Sequence, residues 1–81
     1  MEDAHIHKAL FEFIEGRHPD IRFGPADDIF ALGFVNSLFA MELVLFLEST
    51  FEFTVPVDAL RLENFRTVEA MAALVNKYAA A

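Results

Sequence analysis

A small all-α bundle of four helices, with a long first loop and a short third helix, is the fold that the sequence predicts. Three observations carry it. Apolar residues recur at helical spacing in separate stretches near the start, the middle and the end of the chain. Those stretches are divided by Pro19, Gly24-Pro25, Gly33 and Pro56, residues that interrupt helices. The β-branched run Phe53 to Val57 is short and proline-punctuated, so it reads as an extended link and not as part of a sheet.

At 81 residues the chain is expected to form one domain, residues 1–81. A chain of that size buries only about 60–65% of its unfolded surface. With no cysteine there is neither a disulfide nor a thiolate metal site to staple it, so stability has to come from the 56% of residues that are apolar, ten of them phenylalanine.

The first helix is predicted from Asp3 to about Arg17, with Ile6, Ala9, Leu10, Phe13 and Ile14 on its inner stripe, Asp3 as N-cap and Gly16 as stop, followed closely by Pro19. Phe11 lies off that stripe. His5, His7 and His18 do not assemble a metal site, because residues two apart on a helix point to different sides and no carboxylate at i+4 completes the set; they read as solvated surface histidines. The connection from Arg17 to Asn36 is long for a compact domain and has to be pinned, for which Ile21, Phe23, Ile29, Phe30 and Leu32 are available. Asp27-Asp28 is placed to open a single helical turn within it.

The second helix is predicted from Ser37 to about Phe53 and is apolar nearly all round. Ala40, Leu43, Val44, Leu47 and Phe51 share the core side, and Glu42, Glu48, Ser49 and Glu52 gather opposite. Among those acids lie Leu38, Met41 and Leu45, flanked by Phe39 and Phe46. Apolar side chains ringed by acids form a docking surface; the alternative for Phe39 and Phe46 is that they cover loop residues such as Phe30 and Phe34. Asp58 is expected to cap a short third helix through about Leu62, and Thr67 the last one, about Val68 to Tyr78, with Val68, Met71, Ala72 and Val75 inward and Leu74 beside them.

The net charge of −7 is unevenly spread. Between Arg22 and Arg61 there is no Lys or Arg, while Asp27, Asp28, Glu42, Glu48, Glu52 and Asp58 all fall there. Such a one-sign field disfavours nucleic acid and anionic membranes and steers encounters toward basic protein surfaces. No apolar run approaches the roughly 20 residues needed to span a bilayer, and no basic start leads into one, so a cytoplasmic protein is expected.

No P-loop, dinucleotide fingerprint or calcium loop is present, and nothing brings Ser37 to a histidine, so catalysis by this chain alone is not expected. The segment Leu32-Gly33-Phe34-Val35-Asn36-Ser37-Leu38 carries the chemistry instead. A glycine turn delivers a serine to a helix start, where unpaired amides and the positive end of the helix dipole favour an anion such as a phosphodiester. A serine there is equally what ordinary helix capping selects.

The segment Asp28 to Leu38, with its run of leucine, glycine, two residues, asparagine, serine and leucine, resembles the acyl and peptidyl carrier proteins. The similarity continues through Glu42-Leu43-Val44, Phe51, Val55-Pro56 and Thr67-Val68 and covers almost the whole chain. The resemblance implies a four-helix carrier in which a magnesium-dependent partner transferase esterifies Ser37 with 4′-phosphopantetheine from coenzyme A, the arm's thiol then holding an acyl group as a thioester. It also implies docking of partner enzymes around Asn36, Leu38, Phe39, Met41, Glu42, Leu45 and Phe46. Asn36 stands where many carriers have aspartate, and Phe39 and Phe46 where fatty-acid carriers tend to be acidic or small. The runs Phe34 to Glu48 and Leu62 to Arg66 are similar to free-standing carriers that hold a glyceryl-derived unit while it is oxidised to hydroxymalonyl or methoxymalonyl extender units for polyketide assembly. Partners implied are a loading enzyme, acyl-processing dehydrogenases and an acyltransferase or ketosynthase, acting on a monomeric carrier. A peptidyl or aminoacyl carrier, or a carrier-like adaptor, are the alternatives.

Overall fold

The computed structural model describes residues 3–33 and 36–79. Among them are three α-helices, α1 (Asp3–Arg17), α2 (Ser37–Phe51) and α3 (Val68–Tyr78), and no strand. The expected short third helix is replaced by two 3-10 turns, Val57–Ala59 and Leu62–Asn64, so the four-helix count is corrected to three. Pro56, which has no amide to donate, precedes the first turn, and no side chain caps it; Asp58 lies inside it instead. Leu60 then leaves helical geometry (φ −79°, ψ 67°), and Arg61 donates its amide back to the Ala59 carbonyl at 2.8 Å, a tight turn that stops propagation.

α1 forms because Ile6, Leu10 and Ile14, four residues apart, present one stripe, and all three are fully buried. It runs through Gly16: the His18 amide still bonds the Ile14 carbonyl at 2.9 Å. Pro19 ends it by barring helical geometry from the residue before it. Asp3 lies within α1 and accepts a hydrogen bond from the Asn76 side chain of α3. α1 and α3 approach closely, whereas phenylalanine rings fill the space between α1 and α2: Phe13 stacks on Phe39 and on Phe46, with centroids 5.9 and 4.3 Å apart.

The long connection is a chain of turns rather than a free loop. Asp27 accepts from the Gly24 amide at 2.6 Å, and Asp28 accepts from the amides of Phe30 and Ala31 at 3.0 and 3.1 Å, closing the turn expected there. Asp28 also pairs with Arg66 at 2.8 Å. The backbone repeats the attachment, Ile29 donating to the Arg66 carbonyl (2.8 Å) and Glu69 to that of Pro25 (3.0 Å), which seats fully buried Ile29 against the start of α3. Burial pushes the Asp28 carboxyl up, but the Ala31 amide, the Arg66 guanidinium and the Phe30 amide together hold it below the ordinary carboxylate range.

α2 stops at Phe51, two residues earlier than its pattern predicts, because Glu52 enters the left-handed region (φ 55°). Glu48 then turns its carboxylate onto the Val55 amide at 2.9 Å, and the extended link follows with Val55 buried. No helix among the described residues is long and apolar enough to cross a membrane.

Candidate functional site

The start of α2 is assembled from a turn and a cap. Gly33 takes a positive φ of 89° as its amide closes onto the Phe30 carbonyl at 3.1 Å, a conformation that costs glycine little. Phe34 and Val35, the next residues of the motif, lie outside the described residues. Asn36 is extended (φ −123°, ψ −176°), its side-chain oxygen accepts from the Phe39 amide at 3.0 Å, and its carbonyl accepts from Ala40 at 2.9 Å. Asn36 is therefore the N-cap and Ser37 the first helical residue. The Ser37 side chain is exposed and its hydroxyl has no hydrogen-bond partner among the described residues. The amides of Ser37 and Leu38 precede the first intrahelical bond, so that hydroxyl is carried at the donor-rich, positive end of the helix.

Ser37 also lines an open hollow of about 260 Å³ between α2 and the two 3-10 turns. Ala40, Met41 and Val44 form one wall; Leu60, Leu62 and Phe65 form the other, with Arg61 the one charged residue among the described residues of the lining. Sequence patterning misses this second wall, because three-residue turns carry no periodicity; the signal available was that Arg61 is the first cation after Arg22.

On the outer side of α2, Leu38, Met41 and Leu45 are 72, 54 and 61% exposed. Phe39 is not part of that surface. It is 6% exposed, stacked on Phe13 and met edge-on by His18 with centroids 5.0 Å apart, so the expectation that Phe39 contacts partners is corrected. Phe13 of α1 and His18, just beyond its end, cover it, and Phe34, one of the loop residues expected there, lies outside the described residues. His18, half-buried in that contact, is likewise no solvated histidine. Phe46 is half-buried, packed on Phe13, and lies at the edge of a second hollow with Leu45, Arg17 and Glu42. Glu42 is paired with Arg17, whose guanidinium sits 4.8 Å from the centre of the Phe13 ring. Asn36 is exposed beside Ser37 but spends its side-chain oxygen on the cap.

The arrangement offers one exposed hydroxyl at an electropositive helix start, an apolar hollow beside it and an apolar outer strip. A family model described as a phosphopantetheine attachment site matches residues 8–75. No curated protein and no solved structure gives a significant match.

Proposed function

The chain belongs to the phosphopantetheine-attachment family, and from that premise we propose that residues 1–81 are one acyl-carrier domain whose 4′-phosphopantetheine arm is joined to Ser37. The observation that carries this reading is the division of labour at the start of α2: Asn36 caps the helix, so capping does not account for Ser37 and its hydroxyl is left for esterification. Phosphate chemistry fits the position, since the first-turn amides and the helix dipole stabilise a negative charge there. When bound, the arm supplies a thiol, which this cysteine-free chain lacks, to hold an acyl group as a thioester.

The chain's own residues then present that thioester. Leu38, Met41 and Leu45 give enzymes an apolar strip to dock on, Glu42 and the surrounding acids steer basic partner surfaces toward it, and Phe46 shapes its edge. The proposed partners are a magnesium-dependent phosphopantetheinyl transferase, a loading enzyme, acyl-processing dehydrogenases, and an acyltransferase or ketosynthase. The runs Phe34 to Glu48 and Leu62 to Arg66 support a glyceryl-derived cargo destined for hydroxymalonyl or methoxymalonyl extender units of polyketide assembly.

Intact-mass spectrometry after incubation with coenzyme A, magnesium and a broad transferase tests the reading. One phosphopantetheinyl addition is expected on the wild type and none on Ser37→Ala, with the helical circular dichroism of the two alike. Addition to Ser37→Ala, or no addition to the wild type with several transferases, overturns it.

A further inference from the structure

Apart from Ser37 itself, the described lining of the hollow is apolar except at Arg61. Arg61 lies between the two 3-10 turns, where its backbone is fixed: the amide donates to the Ala59 carbonyl at 2.8 Å and the carbonyl accepts from Asn64 at 2.9 Å. Asn64 reinforces the same corner with a 2.8 Å side-chain bond to Ala59. The Arg61 side chain, by contrast, is 66% exposed and among the described residues is engaged only through Nε, by Glu63 at 2.9 Å. An exposed pair of this kind is readily exchanged for another anion. Arg66, the nearest cation in sequence, is committed to Asp28 and does not line the hollow.

We propose that Arg61 receives an anionic group of the arm that Ser37 carries, within the hollow formed by α2 and the 3-10 turns. This rests on Ser37 being the attachment residue. A planar guanidinium matches the paired oxygens of a phosphodiester or a carboxylate, and both sources exist on such an arm: the phosphodiester at Ser37 and any carboxylate borne by the cargo. The apolar walls Met41, Val44, Leu60, Leu62 and Phe65 suit the uncharged length between them, and their low polarity strengthens a charge pair at the rim. Arg61 is the first Lys or Arg after Arg22, and no other described side chain lining the hollow carries a charge to meet that group.

Nitrogen-15 spectra of the apo, pantetheinylated, butyryl-loaded and succinyl-loaded protein test this, the mass spectrum of each sample establishing its loading first. If the phosphodiester is the ligand, the Arg61 Nε–Hε signal moves between the apo and pantetheinylated forms. If the cargo carboxylate is the ligand, it moves between the butyryl and succinyl forms. In either case the amides of Leu60, Leu62 and Phe65 move with it, Arg61→Gln loses those shifts while still accepting the arm, and Arg61→Lys restores part of them. An Arg61 signal unchanged across all four samples, or shifts retained in Arg61→Gln, overturns the proposal and leaves the role of Ser37 standing. Absence of any addition in the mass spectra overturns both.

Discussion

α2 and α3 begin in the same way and end up doing different things. Each is opened by a polar side chain accepting from the amide three residues on, Asn36 from Phe39 at 3.0 Å and Thr67 from Ala70 at 2.9 Å. At α3 the first helical residue, Val68, is fully buried, and the long connection closes over the turn through the Glu69–Pro25 and Ile29–Arg66 backbone bonds. At α2 the first helical residue is exposed Ser37, beside a hollow. The outer sides differ too: α3 shows Glu69, Ala73 and Lys77 to solvent, whereas α2 shows Leu38, Met41 and Leu45. The fold needs capped helices with one buried stripe, and α3 has that and little more. What α2 has beyond it is an open serine and a largely exposed apolar outer strip.

The contrast is sharpest within α2. Leu43 is fully buried, and Leu43→Ala is expected to cost about 2–5 kcal/mol through lost burial and a residual cavity. Leu45→Glu, on the exposed side, is expected to change stability by less than about 0.5 kcal/mol while slowing arm attachment. Urea unfolding alongside transferase assays separates the two. An unfolded Leu45→Glu protein would mean that the outer strip belongs to the core after all.

Smaller effects separate the two helix starts. Removing a cap costs about 0.5–2 kcal/mol, and Thr67→Ala should lie toward the upper end, because the half-buried turn leaves the Ala70 amide without water in exchange. Asn36→Ala should lie toward the lower end, since solvent reaches that exposed turn. Equal losses in denaturant melts of the two variants would break the distinction between a sealed and an open start.

Much of this contrast is legible in the sequence, and the rest is not for physical reasons. Helical spacing marks the buried stripes of all three α-helices, and Thr67 reads directly as a cap, because these signals are local. Asn36 and Ser37 are adjacent and both suit a cap, so only the backbone, extended at Asn36 and helical from Ser37, separates them. Phe39 is placed on the wrong side because its partners, Phe13 of α1 and His18 just beyond it, are distant in sequence, and a helical wheel drawn on α2 alone cannot contain them. The third helix fails for a related reason: Pro56 and the turn at Leu60 leave too few residues between them for an α-helical turn to propagate.

Acid provides the most delicate test of the seal over α3, through Asp28. Its folded carboxyl titrates below the ordinary value, since the amides and Arg66 that favour the anion outweigh its burial. A depressed pKa contributes stability that is present above the unfolded value, about 3.9, and is lost as pH falls through the lower folded value. Asp28→Asn should therefore be less stable than the wild type at neutral pH, with the gap narrowing below about pH 4 as the wild-type carboxylate is protonated. Amide exchange at Ile29 and Glu69 should quicken in the variant, since those bonds hold the connection onto α3, while exchange at Phe39 in the cap of α2 stays unchanged. Equal quickening at Phe39 would show that the two helix starts are mechanically one unit, and that the open end owes its geometry to the sealed one.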